Sequence, residues 1–317
     1  EYEKKRQEIE NYFKEPFETD GEKITFPAII CGIINGEKME KEDVLLAYIE
    51  YLISLVKRAD ETVVIQSDDR ILEGFRYEKE VEHFLKTAVD KDLFEVYYQP
   101  IIDCSSGNII GAEALMRFSM YSGGKKESIS PVEFIPLLEE TGLIIPAGRF
   151  VLNEAAAMCH EMRQYIPGFK VNVNISYIQM MKSDIWKDIL SSIEQYNLPP
   201  ESLCAELTES GYTDMTPYFY TLRKKFEEKK IQFILDDFGT GFSNLHCIVN
   251  MNPNYVKLDN HFTAKAMSQT RDFELLKKIV ELVHSIDIKI CIEGIEKEEW
   301  YQKLKEIHAD YLQGYLF

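Results

Sequence analysis

The strongest constraint on the fold is an alternation of apolar strands and amphipathic helices from residue 93 to the end of the chain. The predicted strands are Phe94 to Ile102, Ile109 to Phe118, Lys170 to Ile175, Leu203 to Leu207, Ile231 to Asp237, Tyr255 to Leu258, Ile288 to Ile292 and Tyr311 to Gln313. The predicted helices are Pro131 to Glu140, Gly148 to Arg163, Trp186 to Tyr196, Pro217 to Lys229, Arg271 to Ile286 and Lys297 to Ile307. Eight strands with interleaved helices over about 220 residues are typical of a βα barrel.

One junction departs from the regular barrel pattern. Only the segment from Asp103 to Asn108 joins the first two predicted strands. A parallel crossover needs a dozen or more residues, so these two strands should pair as an antiparallel hairpin. We therefore predict an α/β fold, a modified TIM (βα)8 barrel whose first strand is antiparallel.

The first 85 residues have a different pattern and predict a small N-terminal α/β segment that ends in a connecting helix. Asp20-Gly21 lies between two short extended runs and indicates a β-hairpin. Helical periodicity covers Val44 to Ala59 and Gly74 to Leu85. We therefore expect two domains, residues 1–85 and residues 86–317.

Charge and hydropathy exclude two classes of partner. The 317 residues carry a formal net charge of -18, whereas proteins that bind polymeric nucleic acid need a basic surface. The longest apolar run is too short to cross a bilayer, so we expect no membrane contact from this fragment and a cytoplasmic location. The chain begins with Glu1 rather than Met, so it could be the cytosolic part of a longer, membrane-anchored protein.

Two adjacent carboxylates, Asp236 and Asp237, follow an apolar strand and precede a loop that contains Gly239 and Gly241. Side chains alternate along a strand, so neighbouring Asp residues share a pocket only where the backbone turns. Two carboxylates at such a short distance repel each other unless a proton or a metal ion lies between them. The pair therefore indicates a divalent cation, although a solvated turn explains an isolated DDFG segment equally well.

Polar residues at nearly every predicted strand end strengthen the metal interpretation. They are Glu113, Asn174, Glu206 with Glu209, Asp236 with Asp237, Lys257 with Asp259, Glu293 with Glu296, and Gln313. In a barrel these side chains converge on one mouth. An oxygen-rich pocket of this kind suits Mg²⁺ or Mn²⁺ better than zinc.

These motifs, in this order, resemble the EAL-domain family of cyclic di-GMP phosphodiesterases. They are Glu113-Ala114-Leu115, Asn174-Ile175-Ser176, Glu206 to Glu209, DDFGTGFSNL, Lys257-Leu258-Asp259, Glu293-Gly294-Ile295-Glu296 and Gln313-Gly314-Tyr315. The resemblance covers about Leu85 to Phe317 and implies a modified βα barrel. The segment before it resembles a partial, degenerate GGDEF domain that has no cyclase motif.

The resemblance also implies roles for individual residues. The ligands of two divalent ions, Mg²⁺ or Mn²⁺, would be Glu113, Asn174, Glu206, Asp236, Asp237 and Glu293, with Asp236 bridging the ions and Glu293 acting as a ligand or a base. Lys257 would touch the attacking water, and Glu209 would steady the loop after Asp237. Substrate contacts would be Gln99, Arg117 and Gln313. Asp259 and Glu296 would contact the metal ligands without binding the metal themselves.

Three functions are compatible with the sequence. The first is a hydrolase that linearises cyclic di-GMP to pGpG, acting as a homodimer. The second is a receptor or regulator with the same fold that does not cleave the dinucleotide. The third, a barrel glycosidase with two carboxylates, would use Glu206 and Glu293. It leaves a set of site residues without a role: Asn174, Asp236, Asp237 and Lys257.

Overall fold

A computed structural model describes residues 2–19, 22–24, 28–33, 42–56, 62–122, 124–208, 217–239, 248 and 251–317. The chain divides into two compact units, residues 1–83 and 84–317. Within the described residues, no helix combines the length and the apolar character needed to cross a membrane.

The first unit contains two small sheets and the helices beside them. Its elements are α1 (Tyr2–Lys14), β1 (Phe17–Thr19), β2 (Glu22–Ile24), β3 (Ile29–Gly32), α2 (Glu42–Ser54), β4 (Val63–Gln66) and the first part of α3 (Asp69–Lys91). Strands β1 and β2 pair in antiparallel fashion, as the hairpin pattern predicts, but Asp20 and Gly21 lie outside the described residues. Tyr48, Leu52 and Phe75 form the core of this unit.

The second unit is a closed barrel of eight strands, with one additional strand and a surrounding layer of helices. Its strands are β5 (Glu95–Asp103), β6 (Ile109–Ser122), β7 (Lys125–Ile129), β8 (Lys170–Asn174), β9 (Leu203–Thr208), β10 (Gln232–Phe238), β11 (Tyr255–Leu258), β12 (Lys289–Ile292) and β13 (Tyr311–Leu312). Its helices are α4 (Pro131–Glu140), α5 (Ile144–Met162), α6 (Tyr177–Lys182), α7 (Ile185–Gln195), a 3₁₀ turn (Pro200–Ser202), α8 (Pro217–Lys229), α9 (Asn260–Ser268), α10 (Thr270–His284) and α11 (Glu298–Glu306). The hairpin strand β7 extends β6 outside the barrel.

The barrel closes through its first strand, β5, which is antiparallel to both neighbours, β6 and β13. The other barrel neighbours pair in parallel. This arrangement confirms the predicted reversed strand. The tight turn between β5 and β6 is stabilised by Asp103 Oδ1, which accepts hydrogen bonds from Ser105 Oγ at 2.7 Å and from Ser106 N at 2.8 Å.

Side chains along each strand alternate between the helix-covered face and the interior of the barrel. On β8, Val171 and Val173 pack in the main core between the sheet and the helices, whereas Asn172 and Asn174 lie on the opposite face. The lower interior of the barrel is a separate apolar layer formed by Ile101, Cys204, Ile234, Tyr255 and Cys291. The carboxyl ends of the strands lie above this layer.

Some helices differ from the sequence prediction. The helix predicted from Gly148 begins at Ile144, and the short helices α6 and α9 were not predicted. A Cβ atom at position 148 of α5 would lie 2.1 Å from Gln179 Nε2, so glycine at this position leaves room for the Gln179 side chain. Ser176 caps α6 by accepting a hydrogen bond from Gln179 N.

Candidate active site

The mouth at the carboxyl ends of the parallel strands collects most of the predicted site residues. A cavity of about 500 Å³ there is lined by Gln99, Glu113, Asp236, Lys257, Glu293, Glu296 and Gln313, together with Leu115, Asn260, His261, Ala264, Gly294, Trp300, Gly314 and Tyr315. Antiparallel β5 contributes through its first half, because Gln99 lies opposite Glu113 in the ladder. The described part of the mouth is therefore built from side chains that are far apart in the sequence.

Lys257 lies at the centre of the carboxyl groups. Its Nζ atom is 2.7 Å from Glu113 Oε2 and 2.7 Å from Glu293 Oε1, and it donates a hydrogen bond to Glu206 Oε1. Asp236 Oδ1 is more distant, at 3.7 Å. The lysine is only 1% exposed, so a single ammonium faces four carboxyl groups away from bulk water.

The Glu113 carboxylate is held on both sides. Asn174 Nδ2 donates to Glu113 Oε1 at 2.8 Å, and Gln313 Nε2 donates to Glu113 Oε2 at 2.7 Å. Gln313 Nε2 also donates to Gln99 Oε1 at 2.9 Å. These amides connect β5, β6, β8 and the segment after β13 around one acid.

A β-bulge lies at the two adjacent aspartates. In the ladder between β10 and β11, Leu235 pairs with Val256 and Phe238 pairs with Leu258, so Asp236 and Asp237 together lie opposite Lys257. Asp237 has a φ of 55°, in the left-handed region that Asp tolerates better than most residues. The sequence analysis expected the strand to end at this pair, but β10 continues to Phe238. The bulge provides the backbone turn instead.

Burial and charge set the protonation of the central groups. Burial alone would lower the pKa of Lys257, but Glu113, Glu206 and the other acids raise it well above its ordinary value. Burial is also the largest influence on Glu113 and acts upward, but Lys257 and three hydrogen bonds bring the pKa of Glu113 below its usual value. Burial and the neighbouring Glu113 raise the pKa of Glu206 well above its usual value.

Two acids nearer the solvent have raised pKa values. Burial, only partly offset by Lys257, raises the pKa of Glu293 to about 7. Burial and the charges of Asp236 and Asp259 raise the pKa of Asp237 to about 6. Burial is the largest cause of both shifts, and the neighbouring carboxylates add to it.

The residues of the mouth fit a divalent cation by chemistry, although they are not preassembled around one. Among the described residues, no group of three acidic, imidazole or thiol side chains stands ready to hold a metal ion, since Lys257 lies between the acids. Two buried oxygens, Asp236 Oδ1 and Gln313 Oε1, have no hydrogen-bond partner in the described part of the chain. Unpaired oxygens beside excess negative charge are suited to Mg²⁺ or Mn²⁺.

A second cavity of about 710 Å³ shares Leu115 with the mouth cavity and is also lined by Asn174. Arg117 lines this second cavity rather than the first, and its guanidinium lies 5.5 Å from the centre of the Tyr97 ring. Arg117 Nη1 donates to Met116 O at 3.0 Å. Arg117 is thus placed to meet a ligand that extends beyond the carboxylate cluster.

The remaining predicted residues have different positions. Asp259 caps α9 by accepting hydrogen bonds from His261 N at 2.9 Å and Phe262 N at 3.2 Å. Glu296 lines the mouth cavity. Glu209 lies outside the described residues.

Sequence reasoning missed two residues behind the cluster, Asn172 and Tyr255. Asn172 Nδ2 donates to Glu206 Oε2 at 2.9 Å and to the Tyr255 hydroxyl at 2.5 Å. The alternation that places Asn174 on the inner face of β8 places Asn172 there too, so a signal was available. The cavity residues His261, Trp300 and Tyr315 were also missed, since only three-dimensional packing brings them to the mouth.

The fold and the mouth together define a βα-barrel protein with a reversed first strand and an oxygen-rich site. A family model described as the EAL domain matches residues 83–317. The chain therefore belongs to the EAL domain family.

Several relatives accompany this match. The chain is 33% identical over 239 residues to an uncharacterized protein of Synechocystis. It is 29% identical over 238 residues to the bifunctional diguanylate cyclase/cyclic di-GMP phosphodiesterase MucR of Pseudomonas aeruginosa. The matched segments cover 75% and 74% of this chain but only 34% of the length of either relative.

The barrel is also similar to a solved structure described as the PaMucR phosphodiesterase in complex with c-di-GMP. The TM-score is 0.68 and the sequence identity is 28%. The match covers 75% of this chain and 95% of the other. The similarity therefore extends over nearly the whole of that domain.

Proposed function

We propose that the chain is a metal-dependent phosphodiesterase that hydrolyses cyclic di-GMP to linear 5′-pGpG. The observation that carries the proposal is the convergence of Glu113, Glu206, Asp236 and Glu293 around Lys257. Asn174 joins this cluster through its hydrogen bond to Glu113. The similarity to a phosphodiesterase described in complex with c-di-GMP supports the choice of substrate.

The residues that would hold two divalent ions are Glu113, Asn174, Glu206, Asp236, Asp237 and Glu293. When bound, such ions polarise a phosphodiester and lower the pKa of an attacking water from about 15.7 toward neutrality. They would also explain how a strongly acidic chain binds a dianionic dinucleotide.

The protein's own groups supply orientation and proton control. The Lys257 ammonium would donate to the attacking water and favour its hydroxide form electrostatically. The water would give up a proton as its oxygen bonds to phosphorus. The bond from phosphorus to the 3′ oxygen would break, and the 3′ oxygen would take up a proton in place of the one that the water lost. Gln99 and Gln313 would position the phosphate, and Arg117 would offer two parallel donors to its oxygens.

The proposal also covers the cellular location, the oligomeric state and the N-terminal segment. We place it in the bacterial cytoplasm as a homodimer, with residues 1–85 as a degenerate GGDEF-like segment. Light scattering after size-exclusion chromatography would test the dimer. A monomer at micromolar concentration would contradict that part of the proposal.

The decisive test is chromatography of cyclic di-GMP after incubation with the purified chain and Mn²⁺ or Mg²⁺. We expect pGpG with metal, none with EDTA, and none with Glu113→Gln, which keeps the shape of the side chain but removes its charge. Glu194→Gln, on an exposed position of α7, is the control and should leave turnover intact. If the dinucleotide is bound but returned unchanged, the chain is a receptor, and the enzyme proposal is wrong.

A further inference from the structure

Asn172 lies one layer below the mouth, on the inner face of β8. It is 2% exposed and pairs with Cys204 in one neighbouring strand and with Glu113 in the other. It lines neither mouth cavity and would not touch a substrate there. Its role must therefore be exerted through a neighbour.

That neighbour is Glu206, which is completely buried. Its two carboxylate oxygens have different partners. Oε1 accepts from Lys257, and Oε2 accepts from Asn172 Nδ2 at 2.9 Å. A buried carboxylate that loses one donor is left with a desolvated oxygen, so it turns toward whatever partner remains.

Tyr255 holds the Asn172 amide in place. Its ring belongs to the apolar lower layer, and its hydroxyl accepts the second Nδ2 hydrogen of Asn172. Both hydrogens of one amide nitrogen are thus used, one on Glu206 and one on Tyr255. This leaves the amide with a single orientation.

We propose that Asn172 is a positioning residue that locks Glu206 Oε2, so that Oε1, the oxygen beside Lys257, would be the one available to a cation. This inference rests on the proposed function, because it assigns Glu206 to the metal. Residues that hydrogen-bond a metal-ligating carboxylate affect metal affinity by about 10- to 100-fold. We expect an effect of that size from the loss of the Asn172 donor.

The test is calorimetric titration of the metal-free chain with MnCl₂ in the absence of substrate. The principal variant is Asn172→Leu, which has nearly the same shape but no donor, and Asn172→Ala replaces it if Leu prevents folding. Ser192→Ala is the control, because it removes a hydrogen bond of 2.9 Å from the buried Ser192 hydroxyl to the exposed Asn153 on the outer helices. Thermal unfolding in EDTA shows whether each variant is folded.

We expect at least tenfold weaker Mn²⁺ binding for Asn172→Leu and unchanged binding for Ser192→Ala. The rise in melting temperature with added Mn²⁺ should shrink for Asn172→Leu by linkage, whatever its melting temperature in EDTA. If wild type and the Asn172 variants bind Mn²⁺ equally, the inference is overturned and the proposed function stands. If wild type takes up no Mn²⁺, both are overturned.

Discussion

Lys257 Nζ lies 2.7 Å from Glu293 Oε1, although Lys257 is inside β11 and Glu293 follows the end of β12. The same ammonium contacts Glu113 and Glu206. One lysine therefore compensates acids from three strands or strand ends. Within the described part of the mouth, the charges of these three acids are balanced by Lys257.

Replacing Lys257 by Met should strongly destabilise the metal-free chain. Removing one partner of a buried ionic cluster leaves uncompensated charge and typically costs 3–5 kcal/mol, so we expect a loss of about 4 kcal/mol in the free energy of unfolding. Urea unfolding at pH 8 in EDTA measures this loss. Added Mn²⁺ should recover part of it, because a bound cation replaces the missing charge.

Lys225→Met is the control for this experiment. It breaks an exposed ion pair with Glu228 at 3.2 Å, and such pairs contribute about 0–1 kcal/mol. If Lys257→Met is no less stable than Lys225→Met in EDTA, the carboxyl groups do not depend on the lysine.

Arg117→Lys should weaken substrate binding more than turnover. Lysine keeps the charge but loses the planar pair of donors and the stacking on Tyr97. Loss of a hydrogen bond to a charged group costs about 1.5–3 kcal/mol, so we expect KM for cyclic di-GMP to rise roughly 10- to 100-fold with a smaller change in kcat. Arg149→Lys, in the outer ion pair with Asp188, should change neither constant. An unchanged KM for Arg117→Lys would show that the second cavity does not receive the substrate.

Asp237→Asn should change how the stability of the metal-free chain depends on pH. Because the folded pKa of Asp237 is raised to about 6, the folded state binds this proton more tightly than the unfolded state does. Stability from this group is therefore present at low pH and is lost as pH rises from about 4 to 6. Asparagine carries no proton to lose and tolerates the left-handed backbone.

The difference in unfolding free energy between wild type and Asp237→Asn is the quantity to measure, by urea titration in EDTA from pH 4 to pH 7. The unfolding free energy of Asp237→Asn should increase relative to that of wild type as pH rises. A difference that stays constant across this range would contradict the raised pKa.

Gly314→Ala should disturb the mouth through the backbone. A Cβ atom at Gly314 would lie 2.1 Å from Ile295 O, and Ile295 N donates to Gln313 O at 3.1 Å. Overpacking of this kind costs about 1–3 kcal/mol or more and would shift Gln313. Gly168→Ala is the control: no atom of the described residues lies within 4 Å of its Cβ position, so only the strain of its φ of 81° applies, about 1–2 kcal/mol. Thermal and urea unfolding should rank Gly314→Ala as less stable than Gly168→Ala.

The reversed first strand and the acidic mouth were predictable because both depend on local rules. A connection as short as that between Asp103 and Asn108 permits only a hairpin, and strand alternation determines which side chains face inward. In a parallel barrel the inward residues near the strand ends must meet. Glu113, Glu206 and Glu293 could therefore be grouped without a structure.

Other features depend on packing that sequence periodicity does not report. The bulge at Asp236 and Asp237 depends on the register with β11, and the separation of Arg117 into a second cavity depends on how far β6 extends. Strand alternation places Asn172 on the same face as Asn174, but its contact with Glu206 depends on how the neighbouring strands stack, which periodicity does not report. The roles of the individual site residues remain predictions.

The direction of β5 also determines where the polypeptide joins the barrel. In a barrel of parallel strands, the first strand starts at the end opposite the site. Here β5 starts beside Arg117, and Gln99, which accepts a hydrogen bond from Gln313, lies a few residues farther along the same strand. The backbone that leaves α3 at Lys91 therefore enters the barrel at its acidic end, and the strand that opens the barrel also supplies Gln99 to the mouth.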